Sequence, residues 1–97
     1  MKPVVWSKES IISIQYIYNY ISSESEQNAD MVIDTLFDIG EKLNILPEKN
    51  PVEPLFDSNL IRFFPKWNYK IVYRIETDRI YILDIFSTCQ NSKKIKV

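Results

Sequence analysis

Two spacings divide the chain. Up to about residue 46 apolar side chains recur at steps of three and four, the period of a helix face, and from residue 60 they alternate, the period of a strand. Val4-Val5-Trp6 reads as a short edge strand. Ser7 follows as an N-cap, with Glu9 in the first turn, where a carboxylate suits the helix dipole. Ile11, Ile14, Ile17, Tyr18 and Ile21 then predict one apolar stripe on a helix of roughly four turns. Ser22-Ser23-Glu24-Ser25 interrupts it. In a second helix Ala29, Val32, Ile33, Leu36, Phe37, Gly40, Leu43 and Leu46 form one face, and Asp30, Asp34, Asp38 and Glu41 form a solvated acidic one. Gly40 is the sole glycine. Inside a helix it costs about 1 kcal/mol against alanine, which points to close packing on the first helix or on the sheet.

Pro47, Pro51 and Pro54 remove backbone donors from the segment that follows, which therefore reads as a crossing loop. Leu60–Phe64, Tyr69–Ile75 and Ile80–Ser87 are rich in aromatic and β-branched residues and predict three strands, separated by turns at Trp67-Asn68 and Glu76-Thr77-Asp78. Connections this short make an antiparallel meander. The expected fold is α+β: an N-terminal strand and a two-helix hairpin packed on one face of a C-terminal antiparallel sheet, the other face left open.

Charge sharpens this picture. Residues 1–57 carry four lysines against ten acids, whereas residues 58–97 carry eight basic residues against three acids. The second half thus suits an anionic partner, nucleic acid or an acidic protein segment, unless the asymmetry is only an idle dipolar surface. Alternation along Tyr69–Ile75 puts Tyr69, Ile71, Tyr73 and Ile75 toward the helices and Lys70, Val72 and Arg74 on the open face. Arg62 on the neighbouring strand joins them if register allows, with Lys66, Lys93 and Lys94 at the rim. Basic residues interleaved with aromatics, as in Lys66-Trp67-Asn68-Tyr69-Lys70, can hold a phosphate backbone and stack on bases.

Composition removes other chemistries. With 97 residues, one modest core and a single domain over 1–97 are expected. There is no histidine, which excludes His-based acid–base pairs, Cys–His nucleophiles and the usual metal sites; no cofactor or metal is expected. One glycine cannot make a glycine-rich phosphate loop. Cys89 is alone, so no intramolecular disulfide forms. The N-terminus lacks the long apolar region of a signal peptide and no run approaches a membrane span, so a cytoplasmic location with no membrane contact is expected.

The order of these elements, with Tyr69-Lys70-Ile71-Val72-Tyr73-Arg74-Ile75 and Ile80-Tyr81-Ile82-Leu83-Asp84-Ile85-Phe86, resembles the RelE/ParE superfamily of type II toxin–antitoxin toxins, the plasmid stabilisation type. The resemblance covers nearly the whole chain. It implies a small growth-inhibiting toxin silenced by a cognate antitoxin that wraps it and covers the basic face. ParE-like members poison DNA gyrase by binding. RelE-like members cut messenger RNA on the ribosome with a sparse set of Arg and Lys, often with a C-terminal Tyr.

Arg62, Lys66, Lys70 and Arg74 would carry that cleavage here, while Lys66, Trp67, Lys70, Arg74, Gln90, Lys93 and Lys94 are the expected binding residues. Three departures weigh against it. The family's final strand commonly ends in a tip containing arginine, and the matching tip is Ser87-Thr88-Cys89-Gln90-Asn91, with Cys89 in that place. Lys70 stands where RelE-like members frequently carry arginine, and no aromatic follows Phe86. Losing one preorganised cation at a phosphoryl-transfer site costs about 2.7–4 kcal/mol. A ParE-like toxin acting by binding is therefore the leading expectation, with ribosome-dependent cleavage second. A degenerate toxin that keeps only antitoxin binding is third.

Overall fold

Ser7 is where the chain turns from strand to helix. In the computed structural model, which describes residues 1–88, β1 (Val4–Trp6) leads through Ser7 into α1 (Lys8–Ser22). The Ser7 hydroxyl caps the helix by accepting from the Ser10 backbone N–H at 3.0 Å, as its position predicts. Ser10 in turn donates its own hydroxyl to the Ser7 carbonyl, so it is buried without an orphaned polar atom. The inner stripe of α1 therefore runs through Ser10, Ile14 and Ile17, and Ile11, expected on that stripe, faces outward. Ser25 caps α2 (Glu26–Glu41) in the same way, through the Asn28 N–H.

α2 buries Ala29, Val32, Leu36 and Gly40. A β-carbon on Gly40 would lie 2.3 Å from two ring carbons of Trp6, so the missing side chain is the space that β1 fills. Trp6 also meets the Phe37 ring at 4.9 Å and donates its indole N–H to Glu41 Oε2 at 2.6 Å. Leu43 is buried just beyond the helix. Leu46, expected to extend the apolar face, is exposed instead: it adopts a left-handed φ of 49° that turns the chain into a short 3-10 segment, Pro47–Lys49.

Three strands follow: β2 (Ile61–Lys66), β3 (Tyr69–Ile75) and β4 (Ile80–Ser87). β3 and β4 occupy the residues that alternation predicts. β2 runs two residues past Phe64, because Pro65 lies on the outermost named strand, where a missing N–H is tolerated. The sheet order is β1-β4-β3-β2, with an antiparallel meander and β1 added parallel to β4. The sheet is thus mixed at one edge, and the chain has the expected α+β architecture. A register shift between Val72/Tyr73 leaves Leu83 without a cross-strand partner on β3, and the Leu83 carbonyl accepts from the Ser7 hydroxyl at 2.8 Å. The capping serine thus also ties α1 to the bulge. Ile71, Tyr73, Ile75, Ile80, Ile82 and Ile85 form the sheet's share of the core, against Ile14, Ile17, Val32 and Leu36. No helix of the described residues is long and apolar enough to cross a membrane.

Candidate functional site

The hairpin register decides which side each basic residue faces. The two-residue turn at Trp67-Asn68 sets Lys66 opposite Tyr69, and the ladder then sets Arg62 opposite Tyr73, Phe63 opposite Val72 and Pro65 opposite Lys70. Directly opposed residues share a face. Lys70 and Arg74 stand on the face away from the helices with Phe63 and Val72, as alternation predicts, but that face is not bare: Val72 and Ile61 on it are buried. Arg62 does not join them. It lies on the Tyr73 side, where its Nη1 donates to the carbonyls of Glu48 and Asn50, both at 2.8 Å, and its Nε to that of Asn59 at 3.0 Å.

Tyr73 completes that anchor. Its hydroxyl donates to the Pro47 carbonyl at 2.7 Å and accepts from the Asn50 side-chain amide at 2.9 Å. Burial is the main cause that raises the phenol's pKa, partly offset by the Asn50 hydrogen bond. Arg62 and Tyr73 together fasten the proline-rich loop to β2 and β3. The Arg62 guanidinium, an expected site residue, thus directs its hydrogen bonds to the loop.

Held in this way, the loop extends the sheet. Val52 bridges Arg62, the Glu53 N–H donates to the Ile61 carbonyl at 2.9 Å, and the Phe63 N–H donates to the Pro51 carbonyl at 3.1 Å. Glu53 is fully buried. Its Oε1 lies 2.6 Å from Lys70 Nζ, and its Oε2 accepts from the Leu55 N–H at 3.0 Å. The ammonium also sits 4.3 Å above the Phe63 ring. Lys70 is therefore bound from both sides, by a carboxylate and by an aromatic face.

Arg74 is likewise engaged. Its Nη2 is 2.6 Å from Glu76 Oε2, while Arg79 Nε is 2.6 Å from Glu76 Oε1. Hydrogen bonds from Arg79 and then Arg74 hold the Glu76 carboxyl below its ordinary pKa, and the same Glu76 bond raises that of Arg79. Both guanidinium groups also stack on Tyr81, at 5.5 Å and 4.4 Å. Two arginines share one carboxylate, so this cluster keeps one net positive charge.

The hairpin tip differs. Lys66 has no carboxylate partner among the described residues, and its Nζ lies 4.8 Å over the ring of Trp67. Trp67 is half exposed with φ at 52°, a left-handed conformation that costs a bulky residue about 1–2 kcal/mol. Thr88 donates its N–H and its hydroxyl to the Asn68 carbonyl, at 2.7 Å and 3.0 Å, so the end of β4 is tied to this turn. Lys66 and Trp67 are thereby brought beside the start of the polar tip. Cys89, Gln90, Lys93 and Lys94 lie outside the described residues.

The sequence reading passed over Glu53, Arg79 and Tyr81. Tyr81 was within reach, since it faces Arg74 across the β3–β4 ladder. Among the described residues no three His, Cys, Asp or Glu side chains converge to hold a metal ion.

Residues 4–91 match the family model described as ParE toxin of type II toxin-antitoxin system, parDE. A solved structure titled "Chromosomal ParDE TA system from P. aeruginosa" shares the fold, with a TM-score of 0.74 at 17% identity, covering 90% of this chain and 96% of its own. No curated protein sequence matches the chain.

Proposed function

Because the chain belongs to the ParE toxin family of type II toxin–antitoxin systems, we propose that it acts by binding, with DNA gyrase as its target, and that a cognate antitoxin silences it by covering the open face of the sheet. The observation that supports binding over catalysis is the ion pair between Lys70 and the fully buried Glu53. For Lys70 to serve a scissile phosphate it would have to leave Glu53. Stripping a buried carboxylate of its partner costs about 3–5 kcal/mol. One preorganised cation at a phosphoryl-transfer site contributes about 2.7–4 kcal/mol, so the exchange gains nothing. Arg74 shares Glu76 with Arg79, and Arg62 is turned to the opposite side.

A binding role asks for something else: a fixed surface with aromatic anchors and a modest positive field. Tyr81 under its two arginines and the exposed Trp67 beneath Lys66 supply that pattern. The exposed Leu55, Phe56 and Leu60 on the loop offer apolar contacts beside it for an antitoxin. Expression of the chain without its antitoxin tests the proposal. Growth should stop, and purified protein should inhibit gyrase-dependent supercoiling while leaving ribosome-bound messages intact. Normal growth at full expression would contradict the toxin reading, and codon-positioned message cleavage would contradict binding as the mode of action.

A further inference from the structure

α1 has a second face that its own fold does not use. From Ser10 to Ser23 the sequence carries no charged side chain, although half of this helix surface meets solvent. Ile12, Tyr16 and Tyr20 are 53%, 58% and 66% exposed, and steps of four put them on a single ridge, flanked by exposed Ile11, Gln15 and Asn19. A solvated helix face ordinarily carries charges, as α2 does with Asp30, Asp34, Asp38 and Glu41. Exposed tyrosines and isoleucines in their place are the composition of an interface core.

We infer that this ridge is a two-fold interface between two copies of the chain, α1 crossing α1 of the second copy antiparallel about Tyr16. A two-fold axis sets a residue on the axis against itself and every other residue against a symmetry mate. A neutral ridge avoids the like-charge contacts this would otherwise create. With Tyr16 on the axis, Ile12 meets Tyr20 of the second copy. The charges that border the neutral stretch then fall into place: Lys8 at one end faces Glu24 of the second copy, and Glu24 faces its Lys8. Both are exposed, and neither has an ion-pair partner among the described residues. Interdigitating the i±4 ridges of the two helices sets a crossing of ~50°, which follows the slant of the ridge and keeps these ends within side-chain reach. One helix per partner makes a contact smaller than a standard interface of ~800 Å² per side, as suits a dimer that forms and dissociates with concentration. The inference is independent of which target the toxin poisons.

Sedimentation equilibrium of the purified chain over a micromolar concentration series should show a monomer–dimer equilibrium. Tyr16→Glu places two carboxylates on the axis and should raise the dissociation constant more than about tenfold while leaving the helical circular dichroism unchanged, since the ring is exposed. Lys8→Glu alone should weaken the dimer, and Lys8→Glu combined with Glu24→Lys should restore it. On a Cys89→Ser background, oxidation should cross-link the Tyr16→Cys variant through its own symmetry mate but not the Ile12→Cys variant. A chain that stays monomeric throughout the series would overturn the inference, as would a dimer insensitive to Tyr16→Glu or a charge swap that fails to rescue. If Tyr16→Glu leaves a monomer unchanged but abolishes antitoxin binding, the ridge belongs to the antitoxin and the self-association is wrong.

Discussion

The two sides of the sheet hold their cations in different ways. On the helix side Arg62 gives its N–H groups to three backbone carbonyls and fixes a loop. On the open side Lys70 and Arg74 face carboxylates that fold over from that loop and from the β3–β4 turn. A count of basic residues treats these groups alike. Among the described residues of the sheet, the positive charge that remains after internal pairing is the shared charge over Tyr81 and Lys66 at the hairpin tip.

The sharpest way to break the comparison is to remove one member of the buried pair at a time. Lys70→Met leaves Glu53 buried without its counter-charge and should lower stability by about 3–5 kcal/mol. Glu53→Gln should cost less, about 1–2 kcal/mol, because Lys70 retains some exposure and can turn its ammonium to water. Urea unfolding of the two variants checks the order, and equal losses would mean that Glu53 is no better closed from solvent than Lys70. Gly40→Ala probes the closed side of the sheet. The added carbon meets the Trp6 ring at 2.3 Å, and overpacking of that kind costs about 1–3 kcal/mol even though alanine is the better helix former. An unchanged or raised melting temperature would show that Trp6 yields freely.

Arg62→Lys keeps the charge but cannot reach three carbonyls with one planar fork. It should cost about 1–2 kcal/mol and raise hydrogen exchange in residues 47–53, while gyrase inhibition per folded molecule stays the same. A selective loss of inhibition would return Arg62 to the functional surface. The smallest effect concerns acid. Glu76 has a depressed pKa in the folded chain, so its contribution to stability is present above its unfolded pKa of about 4.5 and is lost as pH falls through the lower folded value. Glu76→Gln should therefore lower stability at neutral pH and above, where the charged carboxylate contributes, and converge on the parent chain at low pH, so that the acid limb flattens. Equal stability of the two chains at neutral pH would mean that the two arginines do not bind this carboxylate in solution.

Much of this was legible in the residues themselves. Ser7 announces its cap, and alternation places Lys70 and Arg74 correctly because parity within one strand is a local property. Arg62 could be placed with them only on condition of register, because parity says nothing about register between strands. The signal was nonetheless present: a two-residue turn at Trp67-Asn68 pairs Lys66 with Tyr69, and counting back four residues pairs Arg62 with Tyr73. Glu53 carried no comparable signal. A single acid among prolines looks like any solvated loop residue, and its burial follows from the pairing of residues 51–53 along β2, a long-range contact that local pattern does not encode. The parallel pairing of β1 with β4 is hidden for the same reason.

A side-by-side assay tests the central claim that internal pairing leaves the sheet a binding surface and no phosphoryl-transfer site. Purified toxin is added to gyrase with relaxed plasmid and, separately, to programmed ribosomes carrying a labelled message. The expected result is loss of supercoiling with the message intact, and the same loss for Glu53→Gln once corrected for its folded fraction. Cleavage of the ribosome-bound message at defined codons, with gyrase unaffected, would contradict the account.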